Sequence, residues 1–499
     1  MKYISTRGRA PACSVTHAVL QGIAGDGGLY VPEEFPAMDF DWEALAACSY
    51  EQVALRVLAS FMPEFEPEEL ASCLRGAYGG TFEHPQVAPL VRAGDVHFLE
   101  LFHGRTAAFK DMALSLLPYL LTASIRKENE QKKIAIFAAT SGDTGIAALK
   151  GFEDVPGTEI FVFFPEHGVS AVQKQQMRTA GGNNTHVFGI EGNFDDAQRG
   201  VKQMLNDARF NEQADENGYR LTAANSINIG RLLPQIVYYV WAYALLVKSG
   251  AVRAGEPMNI AVPSGNFGNI LAGYYAEQIG VPIKTKICAS NKNRVLADFF
   301  ATGTYDARRP LYVTNAPSMD ILVSSNLERL LFLASGCDGA KVAGWMDALS
   351  SEGRYEVDDA ARQRLHSFSG GFAEERAIEE AIGSVFAEHG YVMDTHTSAA
   401  YNVYREYVQR TGDDTPTVIT ATACPYKFAE SVGRALGLAE ASDAFDALDA
   451  LAAKSGSPVP DGLKGLRERP VRHAETVQPE DMAVTVMGLL AGLQSNSSK

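Results

Sequence analysis

The sequence predicts an α/β fold of two layered domains with parallel-rich sheets, preceded by a small, mostly helical N-terminal unit. Three observations carry that prediction. An apolar, β-rich run, a Gly/Ser/Thr turn and a helix-patterned segment follow one another three times: at 132–152 (KKIAIFAAT-SGDTG-IAALKGF), 259–278 (NIAVP-SGNFGN-ILAGYYAEQ) and 415–436 (TPTVITAT-ACPYK-FAESVGRAL). Strands that alternate with helices form parallel, layered sheets. Short strand candidates also lie at 159–164 (EIFVFF), 186–190 (HVFGI) and 283–289 (IKTKICA). The length, 499 residues, exceeds what one ordinary core holds.

Taken in order, residues 1 to about 95 read as a helical unit punctuated by PEEFP and MPEFEPEEL. The run 236-IVYYVWAYALLV-247 is shorter than a membrane span and suits a buried helix, with Tyr238, Tyr239, Trp241 and Tyr243 in the core. Pro118 falls about two turns after Lys110, which predicts a kink or a break there. The acidic stretch from about 340 to 385 and the tail after Gly456 read as peripheral helices and loops, and the terminal SNSSK is expected to fray.

Composition narrows the function. Lys and Arg total 44 against 60 Asp and Glu, a formal charge of -16. That balance argues against nucleic acid or an anionic membrane as the main partner and favours a small, pocketed ligand. The start, MKYISTRGRAPACSV, has no apolar targeting core, and the six cysteines have neither zinc spacing nor a secreted scaffold's density. The expected setting is the reduced cytoplasm, with no metal.

At the strand ends, SGNFGN (264–269) places two glycines ahead of a helix, so backbone N–H groups and the helix's positive end can cradle a phosphate ester. A plain strand-to-helix turn with an Asn cap fits equally well. SGDTG (141–145) is a second nest, suited to a carboxylate, although Asp143 is odd there and could only cap the helix. In 225-NSINIGRLLPQ-235, Ser226, Asn228 and Arg231 could meet a second anion; a capped helix start with a solvated Arg is the plainer reading. Lys110, in 103-HGRTAAFKDMALSL-116, precedes an apolar run. It is a snorkelling amine, an ion-pair partner of Asp111, or an amine kept for chemistry.

The motifs HGRTAAFKD, ATSGDTG, GNFDDAQ, NSINIGRLLPQ, PSGNFGN, APSMDI and TACPYKF, in this order, resemble those of threonine synthases, and YISTRG with GDGGLYVP resembles that family's N-terminal domain. The resemblance spans nearly the whole chain. It implies the type II fold of pyridoxal 5'-phosphate (PLP) enzymes. It also implies an N-terminal domain at 1–95 and a catalytic region at 96–499, with a smaller α/β domain at roughly 125–240 embedded in it. Lys110 would carry PLP as an imine; Gly265, Asn266, Phe267 and Asn269 would hold its phosphate; and Thr422 would meet the pyridine nitrogen. Ser141, Asp143 and Thr144 would bind the substrate carboxylate, and Ser226, Asn228 and Arg231 the leaving phosphate. The implied reaction is O-phospho-L-homoserine plus water giving L-threonine and phosphate, by γ-elimination and β-addition of water, in a monomer or homodimer. A related PLP lyase on another phospho or hydroxy amino acid, or a non-catalytic ligand-binding protein, shares these motifs.

Three residues depart from the family pattern. Arg105 stands where proline is usual, and Cys424 and Tyr426 replace the usual His and Ala. Arg105 either adds a cation beside the cofactor or points to solvent; Cys424 is expected to pack as a small apolar group. Asp394 and His396 read as a helix start rather than a metal site, and His97 with His103 lack zinc spacing.

Overall fold

The computed structural model describes residues 1–497. Its larger sheet has six strands in the order Phe368–Phe372, Ile283–Ser290, Met258–Pro263, Thr417–Ala421, Val96–Glu100, Leu90–Ala93. All neighbours pair in parallel except the last two, which form a hairpin. Met258–Pro263 and Thr417–Ala421 are buried along their whole length, because helices cover both faces of the sheet. The smaller sheet is wholly parallel, in the order Thr476–Val477, Thr185–Ile190, Thr158–Pro165, Lys133–Ala139, Tyr219–Ala223. All three repeated units and all three extra strand candidates therefore fall on strands, as expected.

On one face of the smaller sheet Phe137 stacks on Phe161 and Phe163 on Phe188, at 5.3 and 5.4 Å. Val486 and Leu490 of the helix Met482–Ser497 close this core. The tail after Gly456 is thus no periphery: it supplies an edge strand and a covering helix. Ser498 and Lys499, the end of the segment expected to fray, lie outside the described residues. The stretch at 340–385 likewise contributes Phe368–Phe372 as a sheet edge. Both strands escape sequence reading for physical reasons: one is two residues long, and FSGGF carries glycines that weaken a strand signal.

The N-terminal unit pairs Tyr3–Ser5 with Tyr30–Pro32 and packs the helices Val15–Gln21, Trp42–Ala46, Tyr50–Phe61 and Pro67–Tyr78. Leu90–Ala93 pairs with Val96–Glu100 in the larger sheet. The helix Ile229–Ser249 is buried from Ile229 to Leu246 and packs against Trp42–Ala46, Tyr50–Phe61 and Gly268–Gln278. A helix apolar on every side belongs in a core. Each buried aromatic there contributes on the order of 2 kcal/mol, and the Trp241 indole N–H also donates to the Ala88 carbonyl at 2.8 Å. After Lys110 the chain breaks into Asp111–Leu114 and Leu117–Lys127, with Pro118 in the second helix's first turn, where its missing N–H costs nothing. Among the described residues no helix is long and apolar enough to cross a membrane.

Candidate active site

A cavity of about 530 Å³ opens at the carboxyl ends of the central strands, where parallel sheets place ligands. Lys110, Ser141, Thr144, Ser226, Arg231, the turn Ser264–Asn269 and Thr422 all line it. Backbone pairing brings Lys110 to Thr422. The Phe109 N–H donates to the Thr422 carbonyl at 2.8 Å and the Cys424 N–H to the Ala107 carbonyl at 3.0 Å, while Ala107 takes φ 57° to turn the chain inward. The Lys110 side chain is only half-buried, and the surface it keeps faces the cavity. Burial lowers its pKa to about 7, Asp143 opposes the shift, and Arg231 and Lys427 add to it. Asp111 is not its partner. That carboxylate accepts from the Thr106 N–H and hydroxyl, both at 2.8 Å, and burial pushes it up to about 6.

The turn Ser264–Asn269 is built as an anion cradle. Ser324 Oγ donates to the Gly265 carbonyl at 2.7 Å, and the Asn326 N–H and Nδ2 both donate to the Asn266 carbonyl; the Ser264 N–H is spent on the Ala289 carbonyl, whereas those of Gly265, Asn266 and Phe267 have no protein acceptor among the described residues. Phe267 takes φ 65° immediately before the helix Gly268–Gln278. Gly265 is obligatory, since a Cβ there would sit 2.5 Å from the Ser318 carbonyl oxygen. Tyr238 and Tyr239 donate to Asn269 Oδ1 at 2.7 and 2.5 Å, fixing the amide so that Nδ2 is presented with no protein partner. A buried donor without a partner is costly unless a ligand accepts from it. The aromatic run read only as core therefore also holds a site residue.

A second unpaired donor belongs to a residue that lines the same cavity. Arg231 is buried and has no carboxylate partner: Nη1 donates to the Ala224 carbonyl at 2.8 Å, and Nε donates to nothing. Burial lowers its pKa to about 10, so it stays a cation near neutrality. Ser226 lines the cavity beside it. Asn228 does not: its Nδ2 donates to the Val19 carbonyl at 2.9 Å and its Oδ1 accepts from the Gly230 N–H at 2.8 Å, so the expectation that it meets the leaving phosphate is replaced by a helix cap.

Asp143 is displaced from its expected role too. Its carboxylate lies behind the nest and accepts from Lys427 Nζ at 2.7 Å and Gln173 Nε2 at 2.8 Å. Burial alone would raise its pKa, but Lys427 and Lys110 outweigh that and hold it below the ordinary carboxylate value. A carboxylate so engaged is not free for a ligand, whereas Ser141 and Thr144 line the cavity. Gly142 makes the turn at φ 135°, a conformation closed to other residues, and Thr140 Oγ1 accepts from the Gly142 and Gly145 N–H groups.

Sequence reading passed over Lys427, whose fully buried cation also donates to the Thr106 carbonyl at 2.9 Å. His396 was read correctly as part of a helix start, yet it also reaches the cavity. It accepts from the Ser318 N–H at Nε2 (3.1 Å) and lies 2.7 Å from Asp394 through Nδ1, an arrangement that places a neutral imidazole's proton on Nδ1. Of the three departures, Cys424 is packed in the apolar core, its thiol pushed up to about 12 by burial. Tyr426 donates to the Ser457 carbonyl at 2.6 Å, and Arg105 is exposed away from this cavity.

Three family models match in tandem: "Threonine synthase N terminus" over residues 2–78, "Pyridoxal-phosphate dependent enzyme" over 82–423 and "Threonine synthase, C-terminal" over 397–485. Threonine synthase of Pseudomonas aeruginosa is 41% identical over 447 residues, covering 87% of this chain and 90% of the relative. The chain belongs to the threonine synthase family. Threonine synthase-like 1 of Homo sapiens is 39% identical over 86% of this chain, which spans 58% of that relative's length. A crystal structure of PLP-bound threonine synthase from Brucella melitensis superposes with a TM-score of 0.86 at 37% identity, covering 99% of both chains. The family's cofactor is PLP, and the residues present fit it. A dipolar cradle with a free amide donor suits its phosphate, and a half-buried amine of lowered pKa suits its aldehyde.

Proposed function

We propose that this chain is a threonine synthase, converting O-phospho-L-homoserine and water to L-threonine and phosphate with PLP carried on Lys110. One observation carries the reading: the residues that line a single cavity include two with buried donors that have no partner, Asn269 at Nδ2 and Arg231 at Nε, together with a lysine whose pKa is lowered to about 7. Two anion sites are what a phosphorylated cofactor and a phosphorylated substrate together require.

The bound cofactor supplies an electron sink for charge developing at the substrate's α and β carbons. The chain does the rest. Gly265, Asn266, Phe267 and Asn269 hold the cofactor phosphate by dipoles, and Thr422 meets the ring nitrogen with a hydroxyl, which cannot enforce its protonation as a carboxylate would. Ser141 and Thr144 orient the substrate carboxylate; Arg231 and Ser226 hold its phosphate and stabilise that group as it leaves. Once the substrate amine has taken its place, the Lys110 amine is free to take the Cα proton and to serve proton transfer at Cβ and Cγ. A pKa close to the working pH lets one group both accept and donate. The six unpaired cysteines support a reducing, cytoplasmic setting.

Product analysis tests the reading. Phosphohomoserine should yield threonine; 2-oxobutanoate as sole product would assign the chain to a related lyase. Arg231→Leu should lower kcat/KM for phosphohomoserine roughly 10- to 150-fold, the worth of a charge-assisted hydrogen bond, and leave PLP content unchanged. Gly265→Ala should do the reverse: by forcing the turn off the Ser318 carbonyl, it should release PLP on dialysis while the apoprotein stays folded by circular dichroism.

A further inference from the structure

A second cleft, of about 470 Å³, shares no lining residue with the active-site cavity. It lies where three parts of the chain meet: the end of the helical N-terminal unit at Gly80–Glu83, the smaller α/β unit at Ile146–Glu153 and Gln176–Gly181, and the C-terminal segment at Asp461–Arg469. The junction is fixed rather than incidental. Glu83 accepts from the Asp461 N–H at 2.7 Å, and Gly462 passes so near Arg105 that a Cβ would sit 2.3 Å from the Arg105 carbonyl oxygen.

Two polar groups in this cleft are left over. Gln176 is 8% exposed and its Oε1 has no hydrogen-bond partner, while Nε2 makes only a 3.5 Å contact to the Thr106 carbonyl. Arg105 is exposed on the cleft and makes no hydrogen bond or ion pair among the described residues. The other lining charges are two cations and three carboxylates, so the cleft is neutral once Arg105 is counted: Lys150 pairs with Glu153, Arg469 spends its guanidinium on backbone carbonyls, Asp461 pairs with Lys464, and Glu83 accepts only from a backbone N–H. A site with an unpaired cation in Arg105, acceptors in Gln176 Oε1 and the Glu83 carboxylate, and no net charge disfavours a phosphate or nucleotide and suits a zwitterion.

We propose that this cleft binds a free α-amino acid. Its carboxylate is taken by Arg105, its ammonium by Gln176 Oε1, and its side chain by the apolar wall of Phe82, Ile146 and Leu149. The cleft is joined to the catalytic charges by single residues. The Thr106 carbonyl accepts from Lys427, and Gln173, one turn before Gln176 on the helix Ala171–Arg178, donates to Asp143. Occupancy of the cleft is thereby coupled to the pair that faces Lys110.

Calorimetric titration of the PLP-loaded protein with each of the twenty standard L-amino acids tests this by binding, independently of whether the proposed reaction is right. At least one should bind with a millimolar or lower dissociation constant. That affinity should fall at least tenfold in Arg105→Ala and in Gln176→Leu, and stay within twofold in Lys110→Ala. Arg105 is exposed, so its variant tests the site without threatening the fold. Absence of binding by every amino acid would overturn the proposal, as would binding that is lost with Lys110 and indifferent to Arg105.

Discussion

Lys110→Ala is expected to lower kcat/KM about 10,000-fold, because it removes both the covalent anchor and the group that moves protons at three substrate carbons. Its effect on stability should run the other way. In the cofactor-free protein the amine's pKa is lowered from 10.5 to about 7 by burial. Below about pH 7 the folded state carries a poorly solvated cation, and the penalty is present in full. Between about 7 and 10.5 the unfolded chain binds more protons than the folded one, so stability rises with pH as the penalty is relieved. Cofactor-free Lys110→Ala should therefore melt higher than the parent at pH 6, and the gap should shrink as pH approaches 10. A gap independent of pH would mean that the amine is solvated in the folded protein.

Lys427→Met should be the most destabilising of the site substitutions. It leaves Asp143 ionised and buried with only Gln173 and the more distant Lys110 to compensate, a loss of about 3–5 kcal/mol. The cost lies in the abandoned charge, so Lys427→Met combined with Asp143→Leu should recover most of it, since buried ion pairs often exchange for apolar pairs at little cost. Chemical denaturation of the four proteins in the cycle gives the coupling directly. A double variant as unstable as the sum of the singles would show that the two residues act separately. The double variant should still be a poor enzyme, because the opposition of Asp143 to the lowering of the Lys110 pKa is larger than the contribution of Lys427 to it, and losing both leaves the amine's pKa lower still.

The parts of the site that were legible in the sequence are those in which local geometry and chemistry coincide. SGNFGN read as a phosphate nest because a glycine next to the backbone and a helix start are local properties, and the structure places Gly265 and Phe267 in that arrangement. Lys110 reads as a candidate once a nest stands elsewhere in the chain, and the structure brings the two into one cavity. Asn228 and Asp143 were misread because an Asn or Asp beside a helix start has several partners within reach. Only tertiary placement shows that Val19 and Gly230 claim one, and Lys427 and Gln173 the other. Lys427 was invisible for the same reason: nothing local marks a lysine that is paired with a carboxylate nearly three hundred residues away. The edge strand Thr476–Val477 is defined by its neighbour rather than by its own pattern.

The central claim is that the nitrogen bonded to the cofactor's carbonyl carbon belongs to Lys110. Reducing the PLP-loaded protein with borohydride and mapping its peptides by mass tests that bond itself. The account predicts a single pyridoxyl group on the peptide containing Lys110. A label on Lys427 or any other lysine, or a protein that retains PLP yet takes no label, would contradict it.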